Sequence, residues 1–212
     1  MTETLNGPDF KRFLFDLSNR VQQSKGEFDA MDAACGDGDF GSTMAAAFGQ
    51  AAKATEGARD DDVGAILTAA GNSILSTAGG TSGPIFGAFF IEAGKAVKGR
   101  AEVSTQDLTL MLDESTKRIQ LLGGADVGDK TLIDALVPAL NALKEAANTA
   151  TKLRTALDQT AEAASSGCES TKQMIAKKGR ARYLGEQTRG FVDPGAYLVS
   201  LTFATLAMTK KR

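Results

Sequence analysis

The stretch from Met31 to Met44, M-D-A-A-C-G-D-G-D-F-G-S-T-M, carries the residues best suited to chemistry. Asp32, Asp37 and Asp39 crowd together there, with Gly36, Gly38 and Gly41 between or just after them. Carboxylates this close repel one another, and a folded chain tolerates them best with a cation between them. Hard oxygen ligands suit Mg²⁺ or Ca²⁺ rather than zinc or copper. Gly41-Ser42-Thr43 then begins an apolar helical pattern, and a helix start offers free backbone N–H groups to an anion. Metal-holding aspartates beside a helix N-terminus are what a nucleotide–Mg²⁺ site requires.

Other readings of this stretch fit less well. Gly36 to Gly41 matches G-x-G-x-x-G, but Glu27 to Cys35 has no β-branched run to serve as the preceding strand. An EF-hand lacks its closing glutamate: the twelfth position is Thr43 counted from Asp32 and Phe48 counted from Asp37. A lone Asp-Gly reads as a turn. Three aspartates with glycines and a helix start point instead to a site.

Two further loops have related chemistry. Ala78 to Gly87, A-G-G-T-S-G-P-I-F-G, is rich in glycine around Thr81 and Ser82 and enters a helix near Pro84. Its alternative reading is a tight interhelical turn. Gly179 to Gly195 is flanked and filled by Lys177, Lys178, Arg180, Arg182 and Arg189, which suits a lid over phosphates; the alternative is an exposed cationic loop. Gly123 to Thr131 is a near miss to the Walker A pattern. Asp129 intervenes between Gly128 and Lys130 and no strand precedes it, so that reading is rejected.

Composition narrows the chemistry. The chain of 212 residues contains no histidine. That excludes Ser-His-Asp and Cys-His sites, His-ligated zinc and phosphohistidine on this chain. Phosphoryl transfer remains open, because it depends mainly on positioning and charge stabilisation. A net charge of −2 gives no sign of nucleic-acid binding. No run of eighteen apolar residues predicts a membrane span, and the N-terminus lacks the regions of a signal peptide. Cys35 and Cys168, far apart in sequence, fit a cytoplasmic protein with reduced thiols, and Cys35 reads as a small buried residue. The length predicts a single domain over 1–212.

The elements that must position these loops are helical. Three-and-four spacing of apolar residues predicts helices over Pro8 to Lys25, Met44 to about Gly57, Val63 to Ile74, and Phe89 to about Val97. Further helices are predicted from the Ser104 cap to Leu122, from Ile133 to Leu143, from Lys152 to about Lys178, and from Asp193-Pro194 to Met208. The seventh is expected to break near Ser165-Ser166-Gly167. Asp60-Asp61-Asp62 reads as an acidic helix start, and Lys210 to Arg212 as a solvated tail. No stretch alternates with period two, so the fold class is all-α: a barrel or bundle of about eight antiparallel helices.

Taken in order, M-D-A-A-C-G-D-G-D-x-G, G-G-T-S-G-P-I-F-G, G-D-K-T-L-I-D-A-L-V-P-A, G-R-A-R-Y-L-G-E and D-P-G-A closely resemble the nucleotide-binding L subunit (DhaL, or DAK2 domain) of dihydroxyacetone kinases. The resemblance covers essentially the whole chain. It implies an eight-helix barrel with ADP or ATP and two Mg²⁺ at one end, the metals held by Asp32, Asp37 and Asp39. Nucleotide contacts are implied at Phe40, Gly41, Ser42, Thr43, Thr81, Ser82, Gly123, Gly124, Leu132, Arg180, Asp193, Pro194 and Gly195. Phe40 stands where the family commonly has histidine. The family's ketose is held by a histidine of a separate K subunit, so a K-type partner and a short ketose substrate, dihydroxyacetone or a four-carbon ketose, are implied. A phosphocarrier that recharges bound ADP is implied for the sugar-phosphotransferase-linked form. A non-catalytic nucleotide-sensing adaptor regulating a partner protein is the alternative.

Overall fold

The computed structural model describes residues 3–34 and 36–209. The expectations of a buried Cys35 and a solvated basic tail lie outside them. Nine α-helices account for most of the described chain: α1 (Gly7–Gln23), α2 (Lys25–Ala33), α3 (Phe40–Thr55), α4 (Val63–Thr77), α5 (Ser82–Ala96), α6 (Thr105–Gly123), α7 (Ile133–Asn148), α8 (Leu153–Ser170) and α9 (Pro194–Met208). The fold is all-α, as the periodicity predicts. Two-residue strands, β1 (Leu5–Asn6) and β2 (Glu102–Val103), pair antiparallel at the margin.

Local chemistry explains the boundaries. Asn6 and Ser104 each form a reciprocal capping box, with Asp9 and Asp107. Asp62 caps α4 through the Ala65 N–H, while Asp60 and Asp61 pair with Lys11 and Arg59. Gly124 closes α6 at φ 57, a left-handed conformation that glycine adopts without Cβ strain. Inward-facing Phe10, Leu17, Met44, Phe48, Ile66, Ile74, Ile119, Ile133 and Leu136 belong to one continuous buried cluster. An apolar cavity among the helices, lined by residues such as Phe13, Phe90, Leu112, Leu157 and Phe203, holds no titratable group and lies apart from the chemistry.

Helices α4 and α5 meet along a stripe of glycine. Gly64 and Gly71 of α4 oppose Gly94 and Gly87 of α5. A Cβ on Gly64 would stand 2.6 Å from the Gly94 carbonyl oxygen, and one on Gly71 would stand 2.7 Å from that of Gly87. Real Cβ contacts do not come this close to backbone, so the helices approach as only glycine permits. The pair fixes both ends of the Ala78–Thr81 loop.

Three expectations are corrected. The first helix stops at Gln23, and α2 follows almost at once, carrying Asp32 near its end. The seventh predicted helix runs unbroken through Gly167 and ends at Ser170, short of Lys178. Gly167 is a packing residue there: a Cβ would stand 2.2 Å from the Asp134 carbonyl oxygen of α7. Pro138 lies inside α7 and donates no N–H to that carbonyl, four residues earlier. Beyond α8, a short 3-10 turn (Thr171–Gln173) leads into the basic segment expected to form a lid, which contains a second 3-10 stretch (Arg180–Thr188) kinked at Gly185.

Candidate metal and nucleotide site

Asp32, at the end of α2, organises the loop into α3. Its Oδ2 accepts the N–H groups of Gly38 at 2.9 Å, Asp39 at 3.1 Å and Phe40 at 3.4 Å. Gly36 sits against the same carboxylate, where a Cβ would stand 2.4 Å from Oδ1. The turn therefore wraps around Asp32 and brings in Asp37 and Asp39. One carboxylate oxygen from each of the three lies within 4.8 Å of the others. Such a cluster of hard oxygen donors fits a divalent cation such as Mg²⁺.

The clustered carboxylates shift one another. Burial, together with the charges of Asp37 and Asp32, pushes the Asp39 carboxyl above the usual carboxylate range. Asp37 moves the other way, held low by a hydrogen bond from the Arg180 guanidinium. Arg180 comes from the lid and pairs directly with Asp37. Its guanidinium also lies beside Gly80, 4.0 Å from where a Cβ would be. The aspartate loop, the Gly80-Thr81-Ser82 loop and the basic lid thus converge, although they lie far apart in sequence.

The remaining predicted residues gather at this end in a second group. Lys178 of the lid lies by the Gly123-Gly124 turn, its Nζ 3.9 Å from a Cβ position on Gly124. Leu132 is buried against Gly195, whose Cβ position is 3.4 Å from that of Leu132. Asp193 caps α9, accepting the Ala196 N–H at 2.8 Å, with Pro194 in the first turn. Burial pushes the Asp193 carboxyl up to about 7, against the opposing pull of the Ala196 N–H and the Lys130 charge.

The two helix starts differ in a way the sequence hid. The sequence predicts that the N–H groups of α3 face an anion, but Ser42 donates its N–H and its hydroxyl to Asp29, at 3.0 and 3.2 Å. The Phe40 N–H goes to Asp32, and the Thr43 N–H to the Asp39 carbonyl at 2.9 Å. The N-terminus of α3 is therefore already capped by carboxylates. That of α5 has no side-chain cap, and Thr81 and Ser82 stand at it. Asp29, itself paired with Lys25, is a site-building residue the sequence reading missed. It acts across thirteen residues with no motif to announce it.

A family model described as the DAK2 domain matches residues 34–208. The chain is 36% identical over 181 residues to the "PEP-dependent dihydroxyacetone kinase, ADP-binding subunit DhaL" of Escherichia coli (strain K12), covering 85% of this chain and 86% of that protein. It is 34% identical over 199 residues to the "PEP-dependent dihydroxyacetone kinase 1, ADP-binding subunit DhaL" of Listeria innocua, with 94% of each chain covered. Its fold is similar to that of the dihydroxyacetone kinase of C. freundii solved with AMP-PNP and Mg²⁺, at a TM-score of 0.71 and 26% identity, over 98% of this chain and 35% of that one. No helix among the described residues is long and apolar enough to cross a membrane. From the matched span and these identities together, the chain belongs to the DAK2 domain family.

Proposed function

We propose that this chain is one nucleotide-binding domain acting as the ADP- or ATP- and Mg²⁺-binding subunit of a dihydroxyacetone-type kinase. It passes a terminal phosphoryl group to the hydroxyl of a short ketose held by a separate K-type subunit. The observation that carries the reading is the convergence of Asp32, Asp37 and Asp39 with Arg180 and the Gly80 loop. In this reading Asp32, Asp37 and Asp39 hold two Mg²⁺, which when bound supply charge neutralisation for the phosphates. The α5 N-terminus with Thr81 and Ser82 accepts phosphate oxygens, which its uncapped N–H groups favour. Arg180 leaves Asp37 for the phosphates and holds the lid over them. Gly123-Gly124, Leu132 and Asp193 to Gly195 form the far wall, near the nucleoside. Given how α3 is capped, the contribution of Phe40 to Thr43 is to shape the aspartate turn and its edge. A phosphocarrier that recharges bound ADP suits the PEP-dependent naming of the relatives.

The acceptor comes from outside. The chain has no histidine to trap a ketone, and an unpositioned acceptor loses a proximity advantage that reaches roughly 7–11 kcal/mol. The test is an assay of sugar phosphate formation with dihydroxyacetone and a four-carbon ketose, with and without a K-type subunit and a donor, beside calorimetry of Mg·ADP binding. Binding by the lone chain, with turnover only in the complete mixture, is expected. Turnover by the lone chain would overturn the split-site reading. Binding that never leads to turnover in the full mixture would favour the adaptor reading.

A further inference from the structure

Lys130, which the near-Walker spacing places where a phosphate-binding lysine would be sought, does something else. Its side chain is buried, and its ammonium donates to the Thr171 carbonyl at 2.5 Å and to the Phe191 carbonyl at 2.5 Å. Those carbonyls stand at the two ends of the lid. The lid is drawn shut at its base by two more bonds, Gly190 N–H to the Lys172 carbonyl at 2.7 Å and Asp193 N–H to Thr171 Oγ1 at 3.0 Å. Next to Lys130, the Asp129 carbonyl accepts the Lys177 N–H at 3.1 Å. The backbone of Lys130 has φ 58, a left-handed conformation that a residue with a Cβ adopts only when its surroundings hold it there.

We infer that Lys130 is a positioning residue: it pins the neck of the 172–190 lid and thereby sets how long Arg180 stays over the carboxylate site. Both carbonyls belong to backbone that leaves the helical bundle, so one buried cation ties the exit of the lid to its return. The charge also faces the enclosed Asp193 carboxyl, which begins the helix where the lid ends. Without the ammonium, both carbonyls lose a buried donor and the neck is held by fewer bonds. The tip, which carries Arg180 among exposed residues, then samples open arrangements more often. The effect on nucleotide residence rests on the nucleotide reading given above; the effect on the neck does not.

The experiment uses the full chain with Lys130→Met, which keeps most of the apolar stem and removes the donor, and Lys130→Gln, which keeps a shorter neutral donor. The lid holds Lys177, Lys178, Arg180, Arg182 and Arg189, so trypsin reads its opening directly. Circular dichroism reads the bundle. In Lys130→Met, lid cleavage without nucleotide is expected to accelerate about tenfold, with Lys130→Gln between it and wild type, and helical content unchanged. Mg·ADP dissociation is expected to speed up about tenfold, and that increment should vanish in the Arg180→Ala background. Unchanged lid cleavage in the folded variants would overturn the proposal. So would an equal increment with and without Arg180, since a purely structural lysine acts additively. Should Lys130→Met fail to fold, Lys130→Gln decides by the same readings. If wild type fails to bind Mg·ADP, the nucleotide reading falls while the cleavage arm still judges the neck.

Discussion

Replacing Gly71 with alanine tests whether the glycine stripe positions the site. A methyl there would stand 2.7 Å from the Gly87 carbonyl oxygen and 2.7 Å from the Ile91 N. Both are backbone atoms of α5 and cannot rotate away. Ordinary contact begins near 3.4 Å, so α4 and α5 must part by about 0.7 Å, or bend. Overpacking of this kind costs about 1–3 kcal/mol, and alanine recovers about 1 kcal/mol of helix propensity. The net loss of up to about 2 kcal/mol lowers the melting temperature by up to roughly 8 °C for a chain of this size. Gly49 of α3 supplies the control, because a Cβ there meets nothing within 4 Å. Gly49→Ala should keep only the propensity gain and melt about 2–4 °C higher. Calorimetric melts should therefore place Gly71→Ala below Gly49→Ala by the full overpacking cost, roughly 2–12 °C. Since the loop from Ala78 to Thr81 spans the ends of α4 and α5, Gly71→Ala should also weaken Mg·ADP binding. A Gly71→Ala protein stabilised as much as Gly49→Ala would refute the close-approach argument. Destabilisation with unchanged nucleotide affinity would refute the link from stripe to site.

Other perturbations address the carboxylates and the lid. Asp37→Asn should leave the helical spectrum intact and weaken Mg²⁺-dependent ADP binding by at least about 100-fold, beyond the 10–100-fold usual for outer-shell partners of a metal; Asp32→Ala should in addition disorder the turn, which loses three N–H acceptor contacts. Calorimetry at fixed Mg²⁺ with unchanged affinity in Asp37→Asn would end the metal assignment. Arg180→Ala should reduce ADP affinity about tenfold or more, whereas Arg59→Ala, which breaks only an exposed pair with Asp61, should not change it; equal effects would make the lid a surface feature. For Asp193, the native pKa of about 7 lies above the ordinary 3.8. The native state then holds the extra proton between those values, and this group's contribution to stability is lost as pH rises through about 7. Asn keeps the cap without the charge, so Asp193→Asn should raise the melting temperature more at pH 8 than at pH 5, and equal shifts at both would refute the titration.

The helices were legible because their apolar residues repeat at helical spacing and their caps are local, as at Ser104 and Asp62. The helix α2 escaped notice because its nine residues bury only Phe28, too little for a periodic signal. Gly167 misled for a different reason. Propensity alone makes Ser165-Ser166-Gly167 a weak point, whereas its role comes from α7 lying against it. The aspartate cluster was legible because its members are neighbours in sequence. The Asp29 cap on Ser42, the closed N-terminus of α3 and the direction of the Lys130 side chain were not. Each depends on where groups remote in sequence meet, and no spacing encodes that. The glycines of the α4–α5 stripe stand seven apart in each helix, a pattern that gains meaning only once the two helices are paired.

The way the helices adjoin has a consequence for how the chain folds. From α3 to α9 each helix packs on the next in sequence, so most of the bundle assembles through short loop closures. None of these closures requires the aspartate turn or the lid to be in place. The lid in particular is an excursion between α8 and α9 that those two helices can flank before it settles. Substitutions in the turn or the lid should therefore change how fast the native state opens, and leave the rate at which it forms nearly untouched. The aspartate turn and the lid are free to vary without altering the chain's route to its fold.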